Sequence, residues 1–85
     1  MTPLTAMRNL GATSAAWLES VGIASAEQLE DVGALEAYRR VKAAYPQQVT
    51  LNMLYALQGA ILGIPWDQMP LDMRDDLKQQ ANEIR

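Results

Sequence analysis

Neither cysteine nor histidine occurs among the 85 residues. Without cysteine there is no disulfide and no thiolate, so packing alone must hold the fold together. Without histidine as well, ordinary zinc sites, thiol–imidazole pairs and Ser-His-Asp triads are out of reach. The bases and nucleophile pairs of a small hydrolase are missing, and no catalytic, metal-binding or cofactor-binding residue is assigned. Basic residues are scarce too: seven stand against ten acidic ones, giving a net charge of −3 and a pI near 4.7. Nucleic-acid domains draw most of their affinity from neutralising phosphates and carry a basic footprint. Up to Tyr45 there are four bases (Arg8, Arg39, Arg40, Lys42) and five acids, and beyond it three bases and five acids. Neither part is a basic domain.

Long hydrophobic runs are also lacking. The longest apolar stretch, Leu51 to Ile64, contains Asn52, Gln58 and two glycines, and is shorter than the ~20 residues needed to cross a bilayer. Met1-Thr2-Pro3 lacks the charged and apolar regions of a secretory signal. A soluble cytoplasmic protein follows, with no membrane partner and no small-molecule substrate. No low-complexity linker divides the chain. Residues 1–85 are expected to form one domain, with a core over about 4–78 and a final helix that frays at its end.

What is present begins with an echo at a spacing of 22 residues. Met7-Arg8-Asn9-Leu10-Gly11-Ala12 returns as Leu29-Glu30-Asp31-Val32-Gly33-Ala34. Glycine between two apolar helical segments suits a sharp corner, because it tolerates positive φ and close backbone approach. The layout is that of a helix-hairpin-helix. Strand signals are almost absent, so the predicted fold is all-α: five helices with helix-hairpin-helix-like corners, of the SAM-like kind.

The helices can be placed one by one. Thr13 or Ser14 begins the first, which runs to about Ser20 with Ala15, Leu18 and Val21 inward and Gly22 as its left-handed stop. Ser25-Ala26-Glu27-Gln28 is a capping box opening a short second helix that buries Ala26, Leu29 and Val32 and ends at Gly33. The third spans about Ala34–Ala44 with Leu35, Tyr38 and Val41 inward; Arg39, Arg40 and Lys42 lie outside, and Pro46 enforces the stop. Thr50 caps a fourth, Leu51 to about Leu62, apolar almost all round and so central. Its lean side (Asn52, Ala56, Gly59, Gly63) is predicted to admit another helix, with Gly59 as a packing glycine. After the connector 64–70, Pro70 opens a final helix striped by Met73, Leu77, Ala81 and Ile84. Trp17 and Trp66 are expected as core anchors.

Most chemical constellations fail. Tyr38 and Lys42 have the spacing of short-chain dehydrogenases, but the nucleotide-binding βαβ unit and G-x-G-x-x-G loop are missing. Asp72, Asp75 and Asp76 could converge on a divalent cation, yet they equally suit the N-terminal turn of a helix. The Gly11 corner is more specific. The amides of Ala12, Thr13 and Ser14, with Arg8 beside them, could receive a phosphate or carboxylate, unless Thr13 or Ser14 caps the helix instead. DNA-gripping hairpins commonly read Gly-x-Gly followed by lysine. Here Asn9 takes the first glycine position and Ser14 offers no charge.

Taken together, Arg8-Asn9-Leu10-Gly11, Ser14-Ala15-Ala16-Trp17-Leu18, Val21-Gly22-Ile23, Leu29-x-x-Val32-Gly33-Ala34, Ala37-Tyr38 and Leu51-Asn52-x-Leu54-Tyr55-Ala56-Leu57-x-Gly59-Ala60 resemble the C-terminal domain of the TfoX/Sxy competence regulators. The likeness runs through Trp66 to the helix at Leu77. It implies an all-helical module and a role in natural DNA transformation, where such proteins act as coactivators with a cyclic-AMP-receptor-type activator. Longer members carry an N-terminal domain, so this chain is expected to be a stand-alone relative or an excised piece. The leading expectation is a non-catalytic module that regulates transcription through protein contacts, using the outer side of helix three and the Gly11 corner. The alternative is weak, sequence-independent DNA binding through both corners.

Overall fold

The computed structural model describes residues 2–83, and within them the chain is all-α. A 3-10 turn (Leu4–Ala6) leads into α1 (Ala12–Ser20), α2 (Ala26–Val32), α3 (Ala34–Ala44) and α4 (Leu51–Leu62). A second 3-10 turn (Trp66–Gln68) then precedes α5 (Leu71–Glu83). No strand occurs among the described residues.

The helix ends follow local chemistry. At the end of α1 the Ile23 N–H reaches back to the Leu18 carbonyl and the Gly22 N–H to that of Glu19. This is a Schellman stop, and it delivers Ile23 into the core with no exposed surface. Ser25 caps α2 by accepting from the Gln28 N–H at 3.2 Å. The Gln28 side chain returns to the Ala24 N–H at 2.7 Å, one residue before the cap. Such a cap contributes about 1 kcal/mol. Gly33 alone joins α2 to α3, at φ 89° and ψ 156°. That region of backbone space is essentially closed to residues with a Cβ.

Two expected caps are not formed. Thr13 and Ser14 lie inside α1, whose N-cap is Gly11 with no side-chain bond. The helix starts earlier because Gly11 is already extended (φ −100°, ψ −170°) and its carbonyl accepts from Ala15. Thr50 does occupy the N-cap of α4, but only its backbone carbonyl is used, by the Met53 N–H. Pro70 likewise sits one position before α5, its carbonyl accepting from Arg74.

At the centre is α4, packed against α2, α3, α5 and the 66–68 turn. Leu54 and Leu57 are fully buried, alongside Leu18, Leu29 and Val41. Each such side chain contributes about 1.5–3 kcal/mol. The inward line of α3 is Ala34, Ala37 and Val41, while the predicted Leu35 and Tyr38 are only half-buried. Small residues face α4 because the two helices pack closely there. Leu62, at the end of α4, emerges into solvent. In α5 only Leu77 is buried, flanked by Met73 and Ala81; Ile84 lies outside the described residues.

Candidate functional site

Asn9 organises the Gly11 corner. It is the one non-glycine residue with positive φ (73°) among those described, so it does take the place of the glycine found in DNA-gripping hairpins. Its side chain does more than tolerate the bend. The amide Nδ2 donates to the Ile64 carbonyl at 3.0 Å and to that of Ala56 at 3.4 Å, while Oδ1 accepts from the Trp66 N–H at 3.2 Å. The carboxamide therefore bridges the corner to the end of α4 and to the turn beyond it. Gly59 makes room for it: a Cβ there would stand 2.6 Å from Asn9 Nδ2 and 2.8 Å from the Ile64 carbonyl. Gly59 is a packing glycine as predicted, but what approaches it is a side-chain amide and a loop carbonyl, not another helix.

The first copy of the echo is consequently unlike the second. Its leading arm is a 3-10 turn, its positive φ falls on Asn9, and Gly11 is in ordinary extended backbone. The aligned residue of the second copy, Asp31, is helical. The amides of Ala12, Thr13 and Ser14 remain outside the helical ladder, whose first bond starts at Ala15. Arg8 is exposed and makes no hydrogen bond or ion pair among the described residues.

Beside this corner opens a cleft of about 360 Å³. Ser14 and Trp17 of α1 line it, with Thr50 at the N-cap of α4 and Asn52 and Met53 within that helix. Asn9, Gln48, Ala56 and Trp66 complete the lining. No charged residue lines it. The Trp17 ring is fixed from behind by Tyr45, stacked at 5.6 Å and 28°. Tyr45 in turn donates to Ser20 Oγ at 2.9 Å, and Ser20 donates to the Trp17 carbonyl at 2.7 Å. Trp17 is thus half-buried and packed on the core.

Trp66 is not the core anchor the sequence suggests: it is 40% exposed. Its backbone is held down by Asn9, so its ring lies outward, with the Arg74 guanidinium 5.7 Å from its centre. Met69, 3% exposed, supplies the buried anchor of that connector instead.

The cations on α3 are occupied. Arg39 grips both carboxylate oxygens of Glu36, at 2.7 and 2.6 Å, and Arg40 adds a bond at 2.8 Å. These bonds hold the Glu36 carboxyl down at about 2. Lys42 donates to the carbonyls of Pro46 and Val49, stitching the loop after α3 to the helix. It therefore does not serve Tyr38, whose hydroxyl is raised by burial and by Tyr55, opposite to what proton transfer requires. Among the described residues no three carboxylates converge in a way that could hold a metal ion, and Asp76 accepts from Gln80. Nor is any described helix long and apolar enough to cross a membrane.

Sequence reasoning missed Asn9 as a clamp and Tyr45 as the backing of Trp17. An asparagine where a glycine is usual, ahead of a mid-helix glycine at Gly59, is the signal that could have paired the first two.

The arrangement matches known structures closely. Two crystal structures from Listeria monocytogenes superpose with a TM-score of 0.88 each. One, an uncharacterized protein in a triclinic form, is 31% identical and covers 94% of this chain and 90% of its own. The other, a protein of unknown function in a tetragonal form, is 30% identical and covers 96% and 99%. No curated protein matches the chain. The family model of the TfoX C-terminal domain matches residues 1–81, so the chain, with the helical order and corners already described, belongs to the TfoX C-terminal domain family.

Proposed function

We propose that this domain is a non-catalytic regulatory module that acts through protein contacts with the transcription machinery, in the control of natural competence. One observation carries the choice of protein over nucleic acid. The three cations of α3 are spent on Glu36 and on loop carbonyls, leaving Arg8 as the free base beside the Gly11 corner. A phosphate-binding surface needs several unpaired bases side by side. The corner instead opens onto an uncharged cleft walled by indoles, a residue type enriched where protein interfaces concentrate their energy.

The experiment is a binding measurement between the domain and an RNA polymerase–activator assembly on a competence promoter. The domain is expected to add to that complex. Absence of association with activator, polymerase and their complex alike would dispose of the proposal. Weak DNA binding is the second reading, favoured by the uncapped start of α1 beside Arg8.

A further inference from the structure

We infer that α5 is a strap: it closes on α3 and α4, and it opens from them as one unit while the rest of the domain stays folded. The inference goes beyond the function proposed above and does not depend on it.

Three observations set α5 apart from the body that it covers. Its apolar anchorage is slight. Of its 13 residues only Leu77 is buried, with Met73 and Ala81 packed against the core, and Leu71 at its start is 72% exposed. The body holds Leu18, Ile23, Leu29, Val41, Leu54 and Leu57 with no exposed surface. Polar ties are missing as well. Among the described residues no hydrogen bond or ion pair joins α5 to α1–α4. The Arg74 side chain donates to the Trp66 carbonyl at 3.0 Å, which lies in the connector leading into α5. It meets α4 through the Tyr55 ring, 5.9 Å from the guanidinium, a contact that fixes no hydrogen-bond geometry. Finally, one flank is open. A groove of about 570 Å³ is lined by residues 32–36 at the α2–α3 corner and by Met73, Asp76, Leu77 and Gln80 of α5.

Elements with few buried apolar contacts are the ones that open locally, at a lower free energy than global unfolding. Closure here even carries a cost, because it leaves the Arg74 Nε buried with no hydrogen-bond partner. The hinge follows from what stays fixed. Met69 is 3% exposed, and Asn9 holds the Trp66 N–H, so the connector remains on the body and α5 turns about the Met69–Pro70 step. Opening withdraws Arg74 from the Tyr55 ring and Met73 and Leu77 from the groove. The surface that α3 and α4 present thus has two states. Once released, a helix of 13 residues is too short to hold itself in water, so its amides exchange with solvent.

Native-state hydrogen exchange of the whole chain, followed by NMR, tests this. The amides from Arg74 to Gln80 should share one protection factor, roughly tenfold or more below that of Leu54 and Leu57 in α4. Its fall with urea should be shallower than theirs, because opening exposes less surface than unfolding. Ile23→Val loosens the body alone. It should lower α4 protection about two- to tenfold and leave α5 unchanged, since Ile23 stays packed when the strap opens. Equal protection and urea slope in α4 and α5 would overturn the inference. So would a parallel fall of both in the Ile23→Val variant, or protection graded from Gln80 back to Arg74, which is end fraying and not opening of a unit.

Discussion

Asn9 carries two duties that no other residue type meets together. It accepts the left-handed backbone of the corner, and its carboxamide supplies three bonds to the far end of α4 and the turn after it. The two can be separated. Asn9→Gly keeps the backbone and loses the bonds, and should cost about 1–2 kcal/mol. Asn9→Ala loses both and should cost about 1 kcal/mol more, read as the lower midpoint in urea unfolding. Gly59 is the reciprocal partner. Alanine there would gain ~1 kcal/mol of helix propensity, but its Cβ would meet the Asn9 amide and the Ile64 carbonyl inside 3 Å. Gly59→Ala should therefore lower stability by about 1–3 kcal/mol, a fall of several degrees in Tm for a domain of this size. The lean side of α4 was legible from glycine and small residues alone. That the occupant is a side chain 50 positions earlier in the chain was not, because long-range hydrogen bonds leave no periodicity.

Among the elements, the 22-residue echo shows how far local pattern reaches. Both copies end in Gly-Ala and both start a helix, so the corners and the five-helix order could be read directly. The backbone solutions differ, because only the second copy is preceded by a full helix. Gly33→Ala forces a Cβ into φ 89°, ψ 156° and should destabilise by about 1–3 kcal/mol. Gly11→Ala meets nothing within 4 Å at φ −100° and should change stability by less than about 1 kcal/mol. Thermal melts of the pair test the asymmetry. The α3 cations were legible as an outer cluster, but their partner was not singled out, although Glu36 stands three and four residues before Arg39 and Arg40. Its carboxyl is lowered from 4.5 to about 2 in the fold. The stabilisation is therefore complete above the ordinary value and lost as pH falls from 4.5 towards 2. Wild type should lose stability across that window, Glu36→Gln should lose less, and added salt should narrow the difference because the group is exposed.

For the molecule as a whole, the acidic balance and the spent cations act in the same direction. The sequence counts seven bases, and within the fold Arg39 and Arg40 pair with Glu36 while Lys42 bonds loop carbonyls. Composition alone lowers the expectation of DNA binding; the side-chain pairing adds that Glu36 sets a carboxylate within the cluster that would carry it. The two tryptophans, both expected as core anchors, part ways: Trp17 packs on the core from its flank, while Trp66 is 40% exposed.

The direct measurement is a titration of the domain with duplex DNA at low ionic strength, repeated as salt is raised. A module whose α3 cations are engaged within its own fold, and whose free Arg8 stands away from them, should show no saturable association at any salt. Saturable binding whose logarithmic affinity falls with logarithmic salt at a slope of roughly −0.9 per phosphate, summed over three or four contacts, would contradict it.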